Sequence, residues 1–184
     1  KSKEIAAKIS DHFEKQQINR IYYLLTDKKI NLPSLTNSLA NGLTPALNVT
    51  SHIEKKNNTF INSASKEPNS ETDFKFIKPL GKYFLWSAHT KSEKPHQIRL
   101  HAEKAKIAIL GDSEHGGTKY FRLALHSQKL EFNYNGSDQV FESEMPPLFS
   151  QEFSSDLHAL LAENYAKRHQ SYNILPGESY RLLH

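Results

Sequence analysis

The sequence predicts an α+β protein built on a mixed, mainly antiparallel β-sheet with a few flanking helices. Segments rich in β-branched and aromatic residues outnumber segments with helical periodicity, and the two kinds follow one another in mixed order. Ten Phe and eight Tyr can build a core, although only 37% of the 184 residues are hydrophobic. We therefore expect a globular chain that carries a polar insertion.

The helices are predicted from apolar residues that recur on one face. Ile5, Ile9 and Phe13 stand four residues apart and predict an amphipathic helix over residues 3–16. Further helices are predicted over 96–105, where Ile98, Ala102 and Ala105 share a face, and over 153–169. Strands are predicted at 18–26, 74–77, 83–88, 123–126, 130–134 and 140–141.

Residues 31–71 are rich in Asn, Ser and Thr and also hold three prolines. This composition is typical of an elaborated loop, so we predict a polar insertion with short strands near 51–54 and 59–61. The chain is expected to divide into a first domain over 1–150 and a helical linker or following domain over 151–184.

Charge and cysteine content limit the classes of function. Residues 75–111 hold eight Lys or Arg against two acidic residues, whereas residues 112–157 hold three against eight. A basic stretch attracts polyphosphates, but on charge alone an ordinary solvated surface is the better interpretation. The absence of cysteine excludes disulfides, thiolate metal sites and a cysteine nucleophile, and it favours a reducing cytoplasm. No apolar run approaches membrane-spanning length, so no membrane partner is expected.

One stretch of the sequence carries a specific signature. It reads Lys94-Pro-His-Gln-Ile-Arg-Leu-His101, then Ile109-Leu-Gly-Asp112, His115-Gly-Gly117 and Arg122-Leu-Ala-Leu-His126. In order, spacing and residue identity it resembles the RluA family of RNA pseudouridine synthases. The helix at 3–16 and the strands at 18–22 and 72–77 extend the resemblance to roughly residues 1–149. It implies a pseudouridine synthase-like fold and an isomerase that converts uridine to pseudouridine in rRNA or tRNA.

The resemblance also implies roles for individual residues. Tyr22 matches the tyrosine that packs on the target uracil, and it is a candidate for proton transfer at C5. Arg99 matches the arginine that pairs with the catalytic aspartate, a role that suits a permanently charged, bidentate guanidinium. His96 and Gln97 match residues that shape the turn beneath the site. Taken without the resemblance, Tyr22 is better interpreted as a core aromatic and Arg99 as the partner of a surface carboxylate.

RNA contacts are expected along the basic stretch at 75–111, mainly from lysines that reach phosphates without reading sequence. The predicted RNA-binding residues are Lys78, Lys82, Lys91, Lys94, His96, Gln97 and Lys104.

The nucleophile of the family is missing from this sequence. In the family it is the aspartate of a His-Arg-Leu-Asp motif upstream of the first helix, and no such motif occurs here. We therefore expect a pseudouridine synthase-like domain without its N-terminal part, which does not isomerise uridine by itself. Arg99 is expected to lack a carboxylate partner, so Arg99→Ala should cost little stability. The family's Thr-Gly-Arg-Thr and Asp-Pro-Leu-Tyr-Gly are Ser92-Glu-Lys-Pro95 and Asp112-Ser-Glu-His-Gly116 here, which leaves the target RNA open.

Two rival sites are rejected on spacing. His96, His101 and His115 suggest a metal site, but the first two do not align on one helix face and no carboxylate or cysteine completes a recognised ligand set. No metal is expected. Residues 111–119 approach a phosphate-binding loop but have Gly117 in the lysine position. We interpret Gly116-Gly117 instead as a turn that needs positive φ.

The last seven residues, Glu178-Ser-Tyr-Arg-Leu-Leu-His184, resemble the start of a class I large-subunit rRNA methyltransferase. No cofactor is expected within this chain, and S-adenosylmethionine would belong to a domain beyond residue 184. Two functions stay open, both with RNA as partner. One is a pseudouridine synthase; the other is a catalytically silent RNA-binding module attached to an RNA methyltransferase. The residues that precede Lys1 in the gene discriminate between them.

Overall fold

The computed structural model describes residues 18–28, 44–90 and 92–150, together with Lys3. The chain divides into two units, Lys1–Ser150 and Gln151–His184, and every element described below belongs to the first. The helices predicted over 3–16 and 153–169 lie outside the described residues, as does the methyltransferase-like segment. The predicted domain boundary therefore stays a prediction.

Within the described ranges, seven strands form one sheet. They are β1 (Ile18–Thr26), β2 (Ala46–Lys56), β3 (Thr59–Ser63), β4 (Ser70–Leu80), β5 (Tyr83–Thr90), β6 (Leu125–Tyr134) and β7 (Ser137–Glu142); the helices are α1 (Gln97–Lys104) and α2 (Pro147–Ser150). The strand order is β3-β2-β4-β5-β1-β6-β7. Every pair of neighbours is antiparallel, so the predicted α+β class with a mainly antiparallel sheet is confirmed.

Strand β1 lies inside the sheet, between β5 and β6. Its bounds are those predicted from its β-branched and aromatic residues. Leu24 and Leu25 are fully buried on opposite faces, since successive side chains of a strand alternate. The pairing with β6 shifts register between Ile21 and Tyr22, which places a bulge beside Tyr22.

The described part of the predicted polar insertion, residues 44–71, is largely sheet. Strand β2 has 11 residues, more than the short strand expected near 51–54, and it pairs with both β3 and β4. Its buried positions alternate over Val49, Ser51 and Ile53. The strands predicted near 51–54 and 59–61 are confirmed as parts of β2 and β3. The length of β2 was underestimated because one of its core positions is occupied by a serine. Its hydroxyl lies 2.7 Å from Nε2 of His101, a tertiary partner that local composition does not reveal.

Helix α1 lies within one residue of its predicted bounds at each end. The predicted apolar face is incomplete, since all six residues from Gln97 to Ala102 are buried. The sheet covers one side, where His101 contacts β2 and β4. The loop that follows the helix covers another, where Arg99 contacts Asp112. A helix covered on more than one side can bury polar side chains as long as each finds a partner.

The loop between α1 and β6 is tied to the sheet by backbone hydrogen bonds. Leu110 N donates to Leu25 O at 2.8 Å, and Ala124 N donates to Leu110 O at 2.8 Å. Beyond it, the two strands predicted at 123–126 and 130–134 are the single strand β6. The predicted Asn135-Gly136 turn is confirmed, with φ of 51° and 80° as a tight hairpin requires. Among the described residues no helix is both long and apolar enough to cross a membrane.

Candidate functional site

Arg99 is held inside the protein by a carboxylate. Its Nε donates to Asp112 Oδ2 at 2.8 Å and its Nη2 to Asp112 Oδ1 at 2.7 Å, while the side chains are 8% and 0% exposed. Nη2 also donates to Oε2 of the exposed Glu114 at 2.6 Å. Burial by itself lowers the pKa of Arg99, but the hydrogen bonds to Asp112 and Glu114 outweigh it and raise the pKa above its usual value. The guanidinium is therefore charged and fixed in direction.

The expectation that Arg99 lacks a carboxylate partner is wrong. The partner comes from the Leu-Gly-Asp segment of the same signature, 13 residues away along the chain. Both residues belong to the stretch that the sequence marks out, so the motif itself was the available signal. Their pairing depends on the course of the loop that follows α1, which spacing does not predict.

Asp112 is positioned by close backbone approaches within this loop. Asp112 N donates to Ile109 O at 3.0 Å, and Gly117 N donates to Asp112 O at 2.7 Å. A Cβ on Gly117 would lie 2.0 Å from Ile109 O, so no larger residue fits without moving the backbone. Gly116 has φ of +73°, as predicted, whereas Gly117 has no positive φ. The prediction is confirmed for Gly116 and wrong for Gly117, where space is the constraint.

Gln97 closes the turn that precedes α1. Its Oε1 accepts hydrogen bonds from Ser92 Oγ at 3.0 Å and Lys94 N at 3.1 Å. Its Nε2 donates to Glu71 O at 2.8 Å and Thr72 Oγ1 at 3.1 Å. The side chain is 4% exposed and its amide has four partners, so it shapes the turn, as the resemblance implies. The direct RNA contact predicted for Gln97 is not available to a side chain in this position.

His96 lies at the start of α1 in the left-handed conformation, with φ of 58°. The ring is half-buried and tilted against Phe60, with the centroids 5.8 Å apart. Arg99 Nη1 lies 3.3 Å from His96 Nε2, and His115 Nε2 lies 3.4 Å from His96 Nδ1. Burial, followed by the charge of Arg99, lowers the pKa of His96. The imidazole is therefore neutral near pH 7.

The argument against a metal site fails for one set of residues. Potential ligand atoms of His96, Glu114 and His115 all lie within 4.8 Å of one another. A carboxylate therefore does accompany two histidines, contrary to the expectation from spacing. His101 lies elsewhere: its Nδ1 is 2.8 Å from Thr72 Oγ1, in a fully buried polar cluster. Residue spacing did not predict this set, because the loop that follows α1 brings Glu114 and His115 close to His96.

Tyr22 occupies a half-buried position on β1, opposite Ala88 of β5 and Ser127 of β6. Its hydroxyl lies 3.5 Å from Arg20 Nη1, and Arg20 also forms an ion pair with Glu93, in the segment just before α1. The structure therefore connects the two predicted catalytic residues to different partners. Tyr22 contacts Arg20, whereas Arg99 contacts the loop after α1.

The predicted RNA-binding lysines fall into two groups. Lys94 precedes α1 beside the first residues of β4, and Lys104 Nζ donates to Thr50 O at 2.8 Å at the same end of the sheet. Lys78 and Lys82 are exposed at the other end of β4, around its turn into β5. Positions 72 and 78 stand for these two ends of β4, and their separation of six positions along the strand corresponds to roughly 20 Å. Lys91 lies outside the described residues.

Fold and site together define the class of protein. An antiparallel sheet flanked by few helices carries a His-Gln-Ile-Arg turn whose arginine is buried and charged. The family model described as RNA pseudouridylate synthase matches residues 1–104. The chain belongs to the RNA pseudouridylate synthase family.

Curated relatives support this assignment. Ribosomal large subunit pseudouridine synthase D of Borreliella burgdorferi is 26% identical over 165 residues, which cover 85% of this chain and 48% of that protein. The protein of the same name from Zymomonas mobilis is 26% identical over 155 residues, covering 77% of this chain and 45% of that protein. The chain thus spans about half the length of the curated relatives it matches.

Solved structures show the same fold. The structure of Human RNA Pseudouridylate Synthase Domain Containing 1 superposes with a TM-score of 0.62 and 16% sequence identity, and the match covers 88% of this chain and 72% of that chain. For Human RNA Pseudouridylate Synthase Domain Containing 4 the TM-score is 0.57 and the sequence identity 15%, and the match covers 89% of this chain and 69% of that chain.

Proposed function

We propose that this chain is part of an RNA pseudouridine synthase that isomerises uridine in rRNA or tRNA, and that it contributes Arg99 and Tyr22 to the active site. The observation that carries the proposal is the buried, bidentate Arg99–Asp112 pair within the family's signature stretch. Such a pair presents a guanidinium of fixed direction at the start of α1.

The chemistry requires three groups: a carboxylate nucleophile, a cation that keeps the carboxylate ionised, and an aromatic wall for a base taken out of its stack. Arg99 suits the second role because its guanidinium is permanently charged, buried and fixed in direction by Asp112. Tyr22 suits the third, since its ring is half-buried on the sheet. Asp112 does not suit the first, because its carboxylate is 0% exposed and a uridine cannot reach it.

We therefore propose that the nucleophile is supplied from outside this sequence and that the chain does not isomerise uridine by itself. The test is tritium release from rRNA labelled at uridine C5. No release is expected from the 184-residue chain. Release is expected from the complete gene product, and Tyr22→Phe and Arg99→Ala should each abolish it. Release by the chain alone, lost on Tyr22→Phe, would contradict the first expectation.

A second candidate is an RNA-binding module without catalysis, attached to a methyltransferase, because residues 178–184 resemble the start of an rRNA methyltransferase. The same experiment separates the two functions. A complete gene product that binds rRNA but forms no pseudouridine supports the binding module. Pseudouridine formation that survives Arg99→Ala shows that the active site lies elsewhere.

A further inference from the structure

Two histidines and a glutamate converge on one point beside the start of α1. His115 Nε2 lies 3.4 Å from His96 Nδ1, and the rings meet edge to face with centroids 5.5 Å apart. A carboxylate oxygen of Glu114 completes a set of ligand atoms within 4.8 Å of one another. The proposed isomerisation uses neither His115 nor Glu114.

The separation of the two nitrogens fits a shared cation. Zinc binds histidine nitrogen at about 2.0–2.1 Å and prefers tetrahedral geometry, so two nitrogens on one ion lie about 3.4 Å apart. The observed separation is 3.4 Å. Two imidazoles and one carboxylate are also a ligand set that zinc adopts with its fourth position open.

We propose that His96, Glu114 and His115 bind a divalent transition-metal ion of the zinc type, with the fourth position open to solvent. Neutral imidazole and carboxylate are borderline donors, which suit zinc, cobalt or nickel better than the oxygen-preferring magnesium or calcium.

A second carboxylate lies behind one of these histidines. Glu103 Oε2 is 3.6 Å from His115 Nδ1, on the side of the ring away from His96. At this distance the two atoms form no direct hydrogen bond, but the carboxylate adds a negative charge beside the ring.

The backbone of His96 also indicates that its ring direction matters. The residue is not a glycine, yet it has a left-handed φ of 58°, and its side chain makes no capping hydrogen bond to the helix. Conformations of this kind are costly and concentrate at functional sites.

The nearby guanidinium does not prevent cation binding. Arg99 Nη1 lies 3.3 Å from His96 Nε2 and 3.4 Å from His96 Nδ1, at similar distances from both ring nitrogens, and the charge of Arg99 is matched by the buried Asp112. The charges of Glu114 and Glu103 then leave the site negative. Glu114 donates no hydrogen bonds when ionised, and its two oxygens allow one to bind a metal while Oε2 accepts from Arg99.

The experiment measures Zn²⁺ binding by the full chain, metal-free and without an oligohistidine tag, by titration calorimetry. Co²⁺ serves as a spectroscopic probe for four-coordinate geometry. One equivalent of Zn²⁺ should bind, and Co²⁺ should give the intense visible bands of a tetrahedral site. Glu103→Gln removes a negative charge beside His115 and should weaken Zn²⁺ binding by up to about 10-fold.

Loss of a direct ligand should cost more than that. His115→Asn, Glu114→Gln and His96→Asn are the variants, and asparagine is chosen at position 96 because it tolerates the left-handed conformation. The matched control is His52→Asn, which removes a histidine whose ring contacts Glu67 O and should leave Zn²⁺ binding unchanged. Because Glu114 is exposed, its replacement tests binding in a folded chain even if a histidine variant unfolds.

The proposal does not rest on the proposed isomerase function, and uridine isomerisation is not its readout. Absence of saturable Zn²⁺ binding overturns it. Equal binding by the unmodified chain and by Glu114→Gln and His115→Asn also overturns it. A loss on His52→Asn as large as on His115→Asn shows scattered binding to surface histidines and overturns it as well.

Discussion

Arg99 and Asp112 form a buried ion pair with two parallel hydrogen bonds, of 2.8 and 2.7 Å, between helix α1 and the loop that follows it. The pair fastens the loop to the helix at the point where both carry the family's signature. Because neither side chain is more than 8% exposed, water solvates neither charge well, and each charge is compensated by the other. The same pair is thus important for stability and, in the proposed synthase, for the direction of the guanidinium.

Arg99→Ala should destabilise the chain by about 3–5 kcal/mol, because it leaves a buried carboxylate without a partner. Arg99→Lys should recover little of this loss, since an ammonium cannot form the two parallel bonds. Denaturant unfolding at pH 7 measures both. Lys66→Ala is the control: its partner Glu54 and the lysine itself are solvent-accessible, so the change should cost much less stability than Arg99→Ala. An equally small loss on Arg99→Ala would restore the expectation drawn from the sequence.

The neighbouring glycines Gly116 and Gly117 should respond differently to alanine. At Gly116 an added Cβ has no neighbour closer than 3.7 Å, so only the positive φ opposes the change, at about 1–2 kcal/mol. At Gly117 the Cβ would lie 2.0 Å from Ile109 O, a backbone atom. The loss of stability caused by Gly117→Ala should therefore exceed the roughly 1–3 kcal/mol that is typical of overpacking. Comparison of the two unfolding midpoints checks this, and a larger loss at Gly116 would contradict it.

Local chemistry was enough to predict much of the fold. The β-branched and aromatic run of β1, the bounds of α1 and the turn at Asn135-Gly136 all follow from short-range preferences. The length of strand β2 was underestimated because Ser51 occupies a core position that His101 makes acceptable. Its polarity suggests a loop until that partner is known.

The candidate site was predictable as a stretch of sequence but not as a set of contacts. The signature named Arg99, His96 and Asp112 together, yet the Arg99–Asp112 pair and the approach of His115 to His96 depend on the path of the loop. That path is set by the close approach of Gly117 to Ile109. Such an approach has no counterpart in residue spacing, so the sequence could not exclude or predict these contacts.

RNA binding should depend on both groups of lysines, and their effects should add. The double reversals Lys78→Glu with Lys82→Glu, and Lys94→Glu with Lys104→Glu, change opposite ends of β4. RNA affinity falls as salt concentration rises, and each double reversal should make the slope of log affinity against log salt less steep by about 1–2. The two groups of lysines lie far apart, so their effects should be independent.

Binding of an rRNA fragment over a series of salt concentrations measures these slopes. Lys129→Glu is the control, because Lys129 already pairs with Glu131 and Glu142 and should contribute little to RNA attraction. Affinity that does not vary with salt, or that is insensitive to both double reversals, would contradict RNA binding by this surface.

The buried His101 should make the chain less stable in mild acid. Burial, with a smaller effect of the charge of Lys104, lowers the pKa of His101 to about 4. The unfolded chain, with a histidine pKa near 6.5, then binds a proton that the folded chain does not. The stabilisation is fully present above about pH 6.5 and is lost as the pH falls towards 4, by an amount on the order of 3 kcal/mol.

His101→Gln isolates this contribution, because an amide can still contact Ser51 and Thr72 but cannot titrate. Between pH 7 and pH 4.5 the free energy of unfolding should fall more for the unmodified chain than for the variant. Other groups that titrate in this range occur in both proteins, so they cancel in the comparison. The imidazole signal of His101 followed by NMR should stay that of a neutral ring until the pH approaches 4. Equal pH dependence of the two proteins, or a ring that protonates near pH 6.5, would show that the cluster around His101 does not exclude the charge.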